Sequence, residues 1–212
     1  YFCRMETTDL KDFFIKTINQ YSDNETLNDM YWREINWFYN HKNLHYHTLQ
    51  HLRDMLIELL NVKVFIKDWN AVVLALFYHD CIYNTTNLDN EEQSAKIAFQ
   101  RLSEINVPQE ILSKVNELIL ATKYHRKNQD QDINYFIDAD LSILGQSTIK
   151  YSIYSENIRK EYQQFPKEIY NPGRKNVLEK FVTQDQIYKT DHFNYLYEQQ
   201  ARENLDFEIN QL

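Results

Sequence analysis

Trp69-Asn70-Ala71-Val72-Val73-Leu74-Ala75-Leu76-Phe77-Tyr78-His79-Asp80 runs from a nearly unbroken apolar segment straight into a histidine and an aspartate. Trp69 to Phe77 is apolar almost all round and long enough for two or three turns, the pattern of a helix buried on every side. An imidazole and a carboxylate at the end of such a helix are costly unless something compensates the desolvated charge. A divalent metal ion would do so. Neighbouring residues on a helix splay by about 100°. His79 and Asp80 therefore reach one ion only if it lies beside the helix and other segments complete its shell.

Outward from that stretch, composition points to helices throughout. The 212 residues include only 2 Gly and 3 Pro, so breakers are scarce. The 16 Tyr, 12 Phe and 3 Trp can bury a large apolar area. A net charge of -8 argues against a general nucleic-acid binder, which needs a basic face. It leaves room for a small anionic substrate, because a metal ion and a few Arg set the local field. Cys3 and Cys81 are far apart and unpatterned, which reads as reduced thiols and a cytoplasmic protein. No signal peptide and no run of 18 apolar residues points to export or a membrane span. The chain begins at Tyr1 rather than Met, which leaves its true start open.

Periodicity predicts a helix over 9–21, with Leu10, Phe13, Phe14, Ile18 and Tyr21 on one stripe, and a second from the Asp23-Asn24-Glu25 cap to about Asn40. A third is expected to begin near His47 and run to residue 60. On it His47 and His51 stand i, i+4 on one face. Taken alone they read equally well as surface histidines at a helix start, but four of the seven His fall between 41 and 51. Asp68 is expected to cap the apolar helix, 69–80. Asp89 to Glu92 open another, with Ala95, Ile97, Ala98, Phe99 and Leu102 inward. Pro108 opens the next, which ends in the ATKYHR segment with His125; that residue alone reads as a surface histidine.

In Ile133 to Leu144, Asp138 and Asp140 interrupt an apolar run, and Gly145 is expected as its C-cap. The two carboxylates point about 200° apart on a helix, so only one faces a given site. Residues 148–163 read as a Tyr-rich helix, Pro166 to Gly173 as a turn region, and 174–189 and 191–210 as two closing helices. No repeat, low-complexity tract or linker intervenes. Residues 1–212 are thus expected to form one all-α domain, a helical bundle with additional C-terminal helices.

Four segments then offer His51, His79, Asp80 and Asp140, a mixed nitrogen and oxygen set suited to Mn²⁺, Fe²⁺, Ni²⁺, Zn²⁺ or Mg²⁺. The order His … His-Asp … Asp on a helical chain resembles the HD superfamily of metal-dependent phosphohydrolases. YHTLQHL (46–52) and ADLS (139–142) are similar to the corresponding motifs of helical cyclic-nucleotide phosphodiesterases. The whole series YHTLQHL, FYHDCIYN, DNEEQSA, FIDADLSILG, IRKEY, GRKNVL and ARENL resembles a bacterial group of HD-superfamily phosphohydrolases, over roughly residues 30–205. Two departures stand out. Leu44 and His45 precede the first motif, where that group often carries Arg. The phosphodiesterases have further His around a second metal, whereas Tyr83 follows the pair here, so the resemblance supports one metal position.

The resemblance implies a phosphate-ester hydrolase acting on a nucleotide or related small molecule. Its metal ligands would be His51, His79, Asp80 and Asp140. Asp80 would also touch the attacking water, and His47 would be the general acid for the leaving oxygen. Glu91 is a candidate for orienting a water or ligand from behind, and reads equally as a favourable charge at a helix start. Arg159 and Arg174 fall in the shared motifs as candidate phosphate-gripping residues, or else pair with Glu161 or another acid. The alternatives are a non-catalytic metal- or nucleotide-binding module and an HD-type di-iron oxygenase. The shortage of extra His or carboxylate ligands argues against the second.

Overall fold

The structure is a computed structural model and describes residues 10–212. Cys3 and the start of the chain lie outside the described residues, as does Asp9 of the expected first helix. Among the described residues every regular element is helical. α1 (Leu10–Ile18) and α2 (Glu25–Phe38) lead to α3 (Leu49–Asn61) and then to the apolar segment, α4 (Trp69–Tyr78). α5 (Asn90–Glu104), α6 (Gln109–Ala121) and α7 (Gln131–Asp140) follow, and α7 tightens into a 3-10 turn over Leu141–Gly145. α8 (Thr148–Glu161), α9 (Lys167–Val182) and α10 (Asp191–Ile209) complete the bundle. No described helix is long and apolar enough to cross a membrane.

α4 is the centre. Every residue from Ala71 to Tyr78 is at most 1% exposed, and α1, α3, α5 and α6 pack around it. Phe77 meets Phe14 of α1 and Trp32 of α2 edge-on, with ring centroids 5.0 and 6.3 Å apart. Each large apolar side chain withdrawn from water there contributes about 1.5–3 kcal/mol. Buried apolar side chains from Leu10 to Leu205 form one continuous cluster around this axis.

Several local expectations are corrected. α3 starts at Leu49, not near His47: Thr48 is extended and its hydroxyl accepts from Gln50 N. The N–H groups of His45, Tyr46 and His47 point instead at the Glu161 carboxylate, so this segment stays outside the helix. Asp68 occupies the N-cap position of α4 but makes no side-chain cap bond. Asp132 of α7 holds that entry, accepting from Lys67 N and Asp68 N at 2.9 Å each. Phe99 is 46% exposed, because the buried stripe of α5 runs through Ser94, Ala95, Ala98 and Leu102 and leaves it one position off.

Gly145 does not serve as a left-handed cap, since no glycine has positive φ. It allows α10 to approach: a Cβ there would stand 2.4 Å from Tyr197 Cβ and 2.7 Å from Tyr197 O. Asn204 of α10 donates across the same contact to Leu144 O and Gln146 O, both at 2.8 Å. Residues 166–173 are not a turn. Pro166 is the N-cap of α9, and Pro172 and Gly173 lie inside that helix. Pro172 sits in the second turn, where it removes the bond its missing N–H would have made and its ring crowds the carbonyl of Glu168. α9 ends at Val182, and residues 183–190 are a connection to which Arg202 donates at Gln184 O and Asp185 O.

The last three helices are joined by a buried ion pair. Arg174 of α9 donates to Glu208 of α10 through Nε at 2.8 Å and Nη2 at 3.1 Å, and Tyr151 of α8 donates its hydroxyl to the same carboxylate. Burial pushes the Glu208 carboxyl up, but the Arg174 hydrogen bond and charge, with Tyr151, hold it below its usual value. A depressed pKa adds stability above the ordinary value of 4.5 that is lost as pH falls through the folded-state pKa. Glu208→Gln is therefore expected to cost about 3–5 kcal/mol at neutral pH, because it strands the guanidinium. Urea unfolding should show the wild-type advantage at pH 7 shrinking steadily below pH 4.5; an advantage independent of pH would mean that the charge of Glu208 contributes nothing.

Candidate metal centre

Three helix ends meet beside α4. His51 lies in the first turn of α3, His79 is the C-cap of α4, and Asp140 is the last residue of α7. His51 Nε2 is 3.2 Å from His79 Nε2 and 3.2 Å from Asp140 Oδ1, and His79 Nε2 is 3.7 Å from that oxygen. Both imidazoles are buried. Two ring nitrogens this close need a proton or a cation between them. His79 Nδ1 is 2.9 Å from Leu76 O and so carries the hydrogen, which leaves Nε2 free to act as a ligand. Among the described residues, His51, His79 and Asp140 form the one group of donor atoms compact enough to hold a metal ion.

The other expected members stand around this trio. Asp80 Oδ2 is 3.1 Å from His79 Nε2 and 3.7 Å from His51 Nε2. Burial opposes charge on both members of the His79–Asp80 pair. With no cation present their mutual attraction outweighs it, holding His79 above the usual imidazole value and Asp80 below the usual carboxylate value. Asp138 and Asp140 part as the helical splay requires. Asp138 turns to the start of α10, where it accepts from Lys189 N, Thr190 N and the Thr190 hydroxyl.

His47 approaches from the turn before α3. Its Nε2 is 4.0 Å from Asp80 Oδ2, and its ring stacks on Tyr83 with centroids 3.8 Å apart. Its Nδ1 lies 2.7 Å from Glu161 Oε2, while Glu161 Oε1 accepts from the backbone N–H of His45, Tyr46 and His47 at 2.7, 2.7 and 3.0 Å. One carboxylate thus fixes both the turn and the tautomer of the ring. Burial works against a charged His47, but the Glu161 hydrogen bond and charge hold it above the usual imidazole value.

Glu161 and His125 are the two groups that sequence reading missed. In the sequence Glu161 stands out only as an acid that could pair with Arg159 or Arg174. Its real bonds cross 114 to 116 positions of chain, and no local pattern encodes them. His125 Nε2 is 2.8 Å from Asp140 Oδ2. It follows α6 in a left-handed conformation, φ 47°, off any helical face, so periodicity carried no signal for it.

Glu91 is partly buried, with Oε2 4.0 Å from Lys123 Nζ. Burial raises its carboxyl, and the charge of Asp80 adds to the rise. Arg159 donates to Tyr162 O and Phe165 O just beyond its own helix and lies over Tyr170. Arg174 is held by Glu208. Neither guanidinium is in contact with the metal group through these bonds.

Comparison of the chain with protein-family models, with curated proteins and with solved structures finds no match. The geometry makes a direct prediction. After loading with a divalent metal, elemental analysis should find the ion lost from His51→Ala, His79→Ala and Asp140→Asn but retained in Asp138→Asn. Full occupancy in the first three would remove the site, and the reverse pattern in the two Asp variants would exchange their roles.

Proposed function

We propose that the protein is a metal-dependent phosphohydrolase that cleaves a phosphate ester of a small molecule, a nucleotide or a relative of one. The observation that carries this reading is the placing of His47, clamped by Glu161, on the flank of a donor group that fits a divalent ion. The motif resemblance to HD-type phosphohydrolases supports it, with His51, His79, Asp80 and Asp140 as ligands. A bound divalent ion would supply Lewis acidity, polarising a phosphoryl oxygen and making a water more acidic.

The chain's own residues supply the proton transfers. Asp80 accepts the proton that the attacking water gives up as its oxygen bonds to phosphorus. The bond from phosphorus to the leaving oxygen breaks, and His47 Nε2 delivers a proton to that oxygen. Glu161 stabilises the imidazolium before transfer and keeps the ring pointed at the site. The unpaired cost of a buried ionised set is a reason to hold a metal here, and a structural pair alone would not require His47 and Glu161 beside it. The reading of the cysteines as reduced thiols supports a cytoplasmic protein. Cys81 is buried and free.

His125 adds an imidazole at the far oxygen of Asp140 and favours one second reading, dioxygen chemistry at two irons. Oxygen consumption by the iron-loaded protein, with its absorption spectrum, separates the two. For the hydrolase, His47→Ala should keep the metal yet lose about 10²- to 10⁴-fold in kcat on alkyl phosphate esters. The loss should be small on a nitrophenyl ester, whose leaving group departs unprotonated. Glu161→Gln should follow the same substrate pattern with a smaller loss. Equal losses on both ester types would rule out proton delivery by His47.

A further inference from the structure

A cleft of about 430 Å³ lies between α8 and α9, and His47 and Tyr83 are among its walls. It is of the size that takes a small molecule. Because His47 borders both this cleft and the metal group, whatever fills the cleft lies next to the proposed proton donor.

The walls describe the occupant. Tyr83, Tyr154, Tyr162, Phe165 and Tyr170 line it with aromatic side chains, against which a flat ring packs. Its guanidinium, Arg174, is already occupied by Glu208 at 2.8 Å and so does not select a second anion.

Gly173 adds an independent observation. It lies inside α9, where glycine weakens a helix. Its φ is not positive, and a Cβ built on it meets nothing within 4 Å. Neither the backbone nor the packing calls for glycine there. What its missing side chain preserves is the open space of the cleft it lines.

We propose that this cleft seats the alcohol half of the scissile ester, and that this half is an uncharged flat ring system. That the ring belongs to the departing alcohol rests on the hydrolase reading; that the cleft takes a ring does not. An aliphatic alcohol would not pack flat against the aromatic walls, and a compact sugar phosphate would leave them wet.

The test uses the full chain and two free alcohols, 2-naphthol and 6-hydroxyquinoline, with binding read by calorimetry. Both should bind the wild type. Gly173→Leu should weaken both at least ten-fold at unchanged helicity and melting temperature, and Val177→Trp, one turn further along α9 on the same cleft, should do the same. Equal affinities in the wild type and both cleft-filling variants would overturn the proposal, as would a wild-type preference for 1-octanol over either ring. With 2-naphthyl phosphate, Gly173→Leu should raise KM more than it lowers kcat. If the alcohols bind as expected but the phosphate ester is not cleaved under any metal, the ring-binding cleft stands and the hydrolase reading fails.

Discussion

His79 has no route to bulk water. α4 is buried on all sides and delivers this imidazole into the interior, where Leu76 O takes one nitrogen and the other must find a partner among side chains from distant helices. The position of every neighbouring polar group follows from that demand. His51 enters from α3, Asp140 from α7, and Asp80 from the residue after His79 itself. Unsatisfied, such a cluster would be a heavy burden on the core, and a cation held between its donor atoms would relieve it. The apolar packing of α1, α3, α5 and α6 against α4 is what holds those donors within reach of one another.

The C-terminal helices belong to this centre. α8 ends in Glu161, whose two oxygens hold His47 and three successive backbone N–H groups. α9 forms a wall of the cleft beside His47. α10 presses on the 3-10 turn that follows Asp140, with Gly145 making the close approach possible. Asp138, two residues before Asp140, ties the same segment to the start of α10. Two carboxylates of one short acidic segment thus do different jobs, one at the donor group and one locking the scaffold that positions it.

Much of this was legible in the chain itself. A continuous apolar segment of this length is stable only when buried, so the central place of α4 followed from Trp69 to Tyr78. Scarce Gly and Pro, with helical periodicity in the other segments, pointed to the all-α class. His51, His79 and Asp140 stood out because polar groups interrupting apolar periodicity need compensation. Other features depended on contacts between residues far apart in sequence. His47 lies outside α3 because Glu161 captures the backbone before it. Pro166 to Gly173 reads as a turn locally, yet leads into and forms the first half of α9: Pro166 stands at the N-cap, where a missing N–H removes little, and Pro172 is carried within the helix by its packing. The surroundings of His125 and the role of Gly145 were equally invisible, because a left-handed residue and a close helix crossing leave no period in the sequence. Local hydrophobic pattern determined which segments are helices and which polar residues must be compensated, because burial acts on each segment separately. Tertiary structure alone decided which of those residues meet, because a hydrogen bond or a ligand set forms only when distant segments are brought within about 3 Å.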